Sequence, residues 1–230
     1  MSQRFLAELD ELRDRIAQRG DAVQAVLAGA CEAFLRRDDA KAREVLATRE
    51  QETAQHAATN EECQRLLALY QPVATDLRLV VAALKINDEL ERMHRLAEGI
   101  ARHSLAMSGT VALGEFQEDF ERMTEATLEM VRRALASVGG ADIAAAQHVL
   151  DSDDAVDSQK KALNRRLRDH LEANLGDAAA ILHLLDIPRR LERVADLATN
   201  IAEEVIHLAT STIPRHGLHL DEPPPPPAGP

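Results

Sequence analysis

Acidic side chains recur at helical spacing late in the chain. Asp153 and Asp157 are four residues apart, so on a helix they share one face. Glu192, Asp196 and Glu203 follow, with Thr199 and Asn200 between them, and positions 192, 196, 199 and 203 fall in one narrow arc. In an antiparallel hairpin turning near 175 or 176, Asp153 lies at the level of 198 and Asp157 at the level of 194. Asp196 then sits between them. Four carboxylates at one height repel and raise one another's pKa. A hard cation with oxygen ligands relieves that conflict, which points to magnesium, manganese, calcium, iron or zinc.

The first half carries the opposite chemistry at the matching places. Arg49 stands for Asp153, Thr53 for Asp157, Arg95 for Asp196 and Arg102 for Glu203; only Glu91 matches Glu192. Guanidinium groups where a cation would sit predict no metal there. Arg49, Arg95 and Glu91 read instead as a salt-bridge cluster, drawing on Glu50, Glu52 or Glu98, or as an anion site for phosphate. Two Glu-x-x-His motifs, Glu91–His94 and Glu204–His207, open a second reading, a ferritin-like di-metal carboxylate protein. They are not repeat-equivalent. No glycine-rich nucleotide loop is present, and no serine or cysteine has an evident His/Asp partner set. His56, His148 and His183 read as polar faces or satisfied interior positions.

Six helices are expected to position these groups, over 2–37, 39–70, 73–107, 114–138, 141–174 and 177–211. Asp38-Asp39 reads as a cap, Pro72 as a stop, and Gly109, Gly114, Gly139-Gly140 and Gly176-Asp177 as breaks. The third helix repeats Leu79, Ala83, Ile86, Leu90, Met93, Ala97 and Ile100 at steps of four and three. The sixth repeats Ala180, Leu184, Ile187, Leu191, Val194, Ala198 and Ile201 in the same way. The two sets differ by a constant offset of 101, and between Asp76–Arg102 and Asp177–Glu203 ten of 27 positions are identical. The chain therefore reads as all-α, a tandem repeat of two three-helix bundles, one over 1–108 and one over 113–212. Residues 213–230, with five consecutive prolines at 223–227, are expected to be an extended polyproline tail without a core. Pro188 inside the sixth helix predicts a kink just before Glu192.

Composition supports this class. Of 230 residues, 45% are hydrophobic and 29% charged, with only 2% aromatic, which disfavours strand-rich folds. The net charge of −12 repels phosphate backbones and disfavours nucleic-acid binding. The N-terminus lacks the pattern of a signal peptide, and the longest aliphatic run, Leu79–Leu84, is far too short to span a bilayer. A soluble cytoplasmic protein is expected. Cys31 and Cys63 fall several turns apart on adjacent helices, so buried thiols are expected rather than a disulfide.

Several of these segments resemble the PhoU family: Pro72-Val-Ala-Thr-Asp-Leu-Arg78, Leu90-Glu-Arg92, Asp153-Asp-Ala-Val-Asp157, and above all Leu191-Glu-Arg-Val-Ala-Asp-Leu-Ala-Thr-Asn-Ile-Ala-Glu203. The resemblance implies a pair of three-helix bundles with metal clusters at E/D-x-x-x-D motifs. It implies a negative regulator of phosphate uptake and phosphate-starvation signalling, not an enzyme. Its partners would be the phosphate ABC transporter ATPase and a sensor histidine kinase, with the membrane reached through them, and a homodimer is allowed. Carried over by position, the metal set is Asp153, Asp157, Glu192, Asp196 and Asn200. Arg49 and Arg95 interrupt the first motif set. The alternatives are the ferritin-like protein above and a metal-free helical adaptor.

Overall fold

The computed structural model describes residues 3–108, 113–140, 142–174, 176 and 178–210. The polyproline tail and the break at Gly109 lie outside the described residues. The described residues form helices and connecting turns, with no strand among them. The helices are α1 (Gln3–Arg36), α2 (Asp39–Ala47), α3 (Arg49–Tyr70), α4 (Ala74–Ala106), α5 (Gln117–Gly140), α6 (Ile143–Ala173) and α7 (Ala178–Thr210); a single 3₁₀ turn, Gly114–Phe116, precedes α5.

The periodic positions are the buried ones. Helix α1 turns Phe5, Leu9, Leu12, Ile16, Val23, Leu27, Ala30 and Phe34 inward. All seven seam residues of α4 and all seven of α7 are buried. Each large aliphatic side chain so removed from water stabilises the fold by about 1.5–3 kcal/mol. Asp38 and Asp142 cap α2 and α6: their carboxylates accept from Lys41 N and Ala145 N, each at 3.0 Å. Pro188 is buried inside α7, which continues past it to Thr210.

One break differs from the sequence reading. The segment expected as one helix, 39–70, is divided at Thr48. Its hydroxyl donates to Val45 O at 2.7 Å, and its N–H also turns back to Val45 O, at 3.2 Å. A side chain that competes for the backbone carbonyl in this way loosens the helical ladder.

Helices α1, α3 and α4 pack together with the short α2, as do α5, α6 and α7; α4 packs on α7 and α1 on α5 to join the two sets. Phe34 meets Phe120 edge-on at 4.9 Å across the α1–α5 contact. The α4–α7 seam is antiparallel and keeps an approximate two-fold symmetry. Lys85 Nζ lies 2.5 Å from Glu204 Oε1, and His103 Nε2 lies 2.8 Å from Asp186 Oδ2. The repeat offset carries Lys85 onto Asp186 and His103 onto Glu204, so one pair of positions serves both ends of the seam. A second pair sits between them. Asn200 donates to Glu89 at 3.4 Å. At the equivalent places, the Arg190 guanidinium covers Gly99, where a Cβ would collide with it. Only glycine admits that approach.

Candidate functional site: facing carboxylates and an internal cation

In the second repeat the apolar faces of α6 and α7 fix the height of the acids. Val149, Val156 and Leu163 of α6 are buried, as are Leu191, Val194, Ala195 and Ala198 of α7. The flanking positions are then Asp153 and Asp157 on one helix, Glu192 and Asp196 on the other. Asp153, Asp157 and Glu192 are half-buried. Asp196 is exposed, but partial desolvation and the neighbouring charges of Glu192, Asp153 and Asp157 raise its pKa above its ordinary value. The four acids thus share one electrostatic neighbourhood.

A group that sequence reasoning missed stands among them. Lys160 reaches from α6 across to α7. Its ammonium lies 2.6 Å from Glu192 Oε1 and 3.6 Å from Asp157 Oδ1. The bond to Glu192 holds its own pKa above the usual value. The available signal was its position three residues after Asp157, on the same helical face. Lys161 Nζ, 3.4 Å from Asp157 Oδ2, is mostly exposed.

Asn200 does not join this group. Its amide points across the repeat seam to Glu89 instead. Glu203 lies on the same side and lines a cleft of about 600 Å³ between α4 and α7, together with Glu91, Glu204 and Lys85.

Hard oxygen donors around a positive group have the chemistry of a divalent-cation site, with the Lys160 ammonium as the stand-in ion. Among the described residues, however, no three His, Cys, Asp or Glu side chains are grouped closely enough to hold one metal ion. The donors suit a hard cation in type but not in their spacing, and Lys160 pairs with Glu192 and Asp157 among them.

The first repeat has turned its charges inward. Glu98, 1% exposed, accepts from Arg49 Nη1 at 2.5 Å and from Arg102 Nη2 at 3.0 Å on the same oxygen. His94 bonds Thr48 Oγ1 at 2.8 Å and approaches Glu98 at 3.9 Å; burial pushes its pKa down. Arg95 pairs with Glu91 along α4. Arg49 and Arg95 are therefore held by different carboxylates. Arg19 of α1 pairs with Glu52 of α3 in the interior, at 3% and 7% side-chain exposure. Sequence reasoning missed Arg19 and Thr48, whose side-chain partners Glu52 and His94 come from other helices. The repeat-equivalents of Glu52, His94 and Glu98 are Val156, Ala195 and Thr199, so the second repeat keeps its interior nearly free of charge. His94 faces Thr48, on the inner side of α4, while Glu91 lines the cleft. That geometry separates the two members of the Glu91–His94 motif.

At the far end of the seam, His103 Nδ1 meets His183 Nδ1 at 3.0 Å, and Asp186 also pairs with Arg190. Burial is the main cause lowering the His103 pKa, against the pull of Asp186. Cys31 and Cys63 are buried and free, with burial pushing their thiols up to about 12 and about 11. Among the described residues no helix is long and apolar enough to cross a membrane.

The fold and sequence have close counterparts. A phosphate-specific transport system accessory protein PhoU homolog from Pseudomonas putida is 31% identical, over 94% of this chain and 84% of its own. The homolog from Zymomonas mobilis is 32% identical, over 90% of this chain and 86% of its own. The crystal structure of PhoU from Pseudomonas aeruginosa superposes with a TM-score of 0.88 at 29% identity, covering 90% of this chain and all of that one. The phosphate transport system regulatory protein PhoU from Streptococcus pneumoniae gives 0.84 at 26% identity, covering 92% of this chain and 99% of the other. The PhoU domain model matches twice, over residues 16–103 and 120–205, and with two such domains in tandem the chain belongs to the PhoU family.

Proposed function

We propose that this chain is a regulator that restrains phosphate uptake and phosphate-starvation signalling, and that it does so by contact with other proteins rather than by catalysis. The observation that carries this reading is the duplicated PhoU domain. Its relatives are named accessory proteins of a phosphate-specific transport system. The partners in this reading are the ATPase of the phosphate ABC transporter and a sensor histidine kinase, met at the cytoplasmic face. The absence of a membrane-spanning helix among the described residues fits a chain that reaches the membrane through its partners.

A divalent cation enters this reading at Asp153, Asp157, Glu192 and Asp196 of the second repeat only. When bound, it would neutralise charge between α6 and α7 and stiffen the face they share. The chain's own residues position the donors: the buried stripes of α6 and α7 set their height, and Lys160 holds Glu192. In the first repeat Arg49, Arg102 and Arg19 already neutralise Glu98 and Glu52, so no cation is proposed there.

Deletion of the gene in its host tests the reading. The expected result is alkaline phosphatase expression that stays high in phosphate-replete medium, with repression restored by the full chain. Unchanged repression in the deletion strain would refute a regulatory role in phosphate signalling.

A further inference from the structure

We propose that His103 and His183 form a proton-operated latch between the two repeats: the hydrogen bond between their Nδ1 atoms survives one proton on the pair and is broken by a second. The latch stands apart from the acids of the second repeat and from any cation.

The partners fix the neutral form. His103 lies in the last turn of α4 and His183 near the start of α7, so their bond closes one end of the seam that joins the repeats. His103 Nε2 lies 2.8 Å from Asp186 Oδ2, and the same oxygen accepts from Arg190. An ionised carboxylate only accepts, so His103 Nε2 carries a hydrogen and its Nδ1 is left as an acceptor. His183 Nδ1, 3.0 Å away, is therefore the donor. The rings meet edge-on, with centroids 5.3 Å apart. A first proton can go to His183 Nε2 with no rearrangement. It can also go to His103 Nδ1, provided His183 moves its hydrogen to Nε2 and becomes the acceptor. In either form the bond survives. A second proton puts hydrogens on both Nδ1 atoms. Two donors then face each other on two like charges, and the bond cannot form.

Asp186 is the carboxylate that faces His103, and a guanidinium already shares it. Asp186 favours the charged form of His103, while burial, Arg190 and His183 oppose it. Arg190 Nη2 lies 3.5 Å from His103 Nε2. Charges that the other helices bring to this end are paired elsewhere or exposed. On α1, Glu32 pairs with Arg36, and Arg37 just after it donates to Met107 O; on α2, Asp39 accepts from Ser108. The Lys160–Glu192 pair sets α6 in register with α7; there His170 turns to Glu115, and Asp169 is exposed. Glu118 and Glu121 of α5 are exposed. The opposite end of the seam is held by Lys85 and Glu204, residue types that do not change charge between about pH 5 and 8. There the repeat offset puts Ala82 at the place of His183. Protons therefore act on one end of the seam: the start of α7 parts from the end of α4 while the Lys85 end stays closed.

The experiment uses the full chain with isotope-labelled histidine. Ring-nitrogen chemical shifts report the tautomer and protonation of each histidine in wild type, His103→Gln and His183→Gln. At about pH 7.5, wild type should show His103 with its hydrogen on Nε2 and His183 with its hydrogen on Nδ1. On acidification the pair should take up its two protons in steps at least about one pH unit apart. In His183→Gln, His103 should bind its proton about tenfold more tightly than the wild-type pair binds its second. Hydrogen exchange, corrected for its intrinsic pH dependence, reads the seam itself. Protection over 99–106 and 180–187 should fall between about pH 7.5 and pH 5, while 80–88 and 201–208 hold. His183→Gln should remove that fall. Wild type alone carries the tautomer and exchange tests, so they do not depend on either variant folding. Independent titration of the two histidines, each midpoint unmoved by replacement of the other, would overturn the latch. So would protection at the His103 end that is unchanged by pH, or that is lost equally at both ends of the seam.

Discussion

Replacing Glu52 with alanine should destabilise the protein more than any surface change. Glu52 and Arg19, at 7% and 3% side-chain exposure, pair with each other and join α1 to α3. Desolvation already lowers the Arg19 pKa, and two of its guanidinium nitrogens, Nε and Nη1, have no hydrogen-bond partner. Removing Glu52 leaves a buried charge without compensation, at a cost of about 3–5 kcal/mol. For a chain of this size, about 2–4 °C of Tm is lost per kcal/mol, so the expected drop is roughly 6–20 °C. Replacing both partners, Arg19→Met with Glu52→Leu, should recover most of that loss or exceed wild type, because an apolar pair avoids the desolvation cost. Urea unfolding followed by circular dichroism at neutral pH measures both. A loss below about 1 kcal/mol for Glu52→Ala, with no recovery in the double variant, would refute a buried charge that needs its partner.

Other outcomes follow from the same structure. Burial holds His94 and His103 below their ordinary pKa, so the unfolded chain binds more protons than the folded one. Their contribution to stability is complete above about pH 6.5 and is lost as pH falls through the depressed values. Thermal melts at decreasing pH should show the loss, and His94→Gln with His103→Gln should flatten it. Gly99→Ala should displace the Arg190 guanidinium from α4 with little net loss of stability, because the far end of a flexible side chain can yield and alanine favours the helix by about 1 kcal/mol. Thermal melts check it: a drop of more than about 10 °C would show that the guanidinium cannot yield. Cys31 and Cys63 should resist a thiol reagent in the folded state at neutral pH and react at once in denaturant, given thiols raised to about 12 and about 11.

The features legible in the sequence are those set by local period. The seams of α4 and α7 could be read because buried residues on a long helix must return every three or four positions. The repeat could be read because Leu90-Glu-Arg92 and Leu191-Glu-Arg193 lie a fixed distance apart. The register of one hairpin puts Asp153, Asp157, Glu192 and Asp196 in one electrostatic neighbourhood, though among the described residues no three of them close on one point. What escaped depends on contacts between elements. Thr48 ends α2 through its own hydroxyl and a histidine 46 residues away. Arg19 lies on an exposed-looking stretch of α1, and only the approach of α3 makes it interior. The family resemblance puts Asn200 with the acids, but the antiparallel seam with α4 offers it Glu89 on the other side. Lys160 carries the sign opposite to the residues being sought, and charge balance was the clue to it.

A chain that regulates phosphate transport by direct contact must bind the transporter or the kinase. The measurement that tests it most directly is size-exclusion chromatography of the full chain with the purified phosphate ABC transporter and, separately, with the sensor histidine kinase of the same organism. Both membrane partners are held in nanodiscs, with and without manganese. The account predicts co-elution with at least one of them, at a fixed stoichiometry. A chain that elutes alone from both, in either condition, would contradict it.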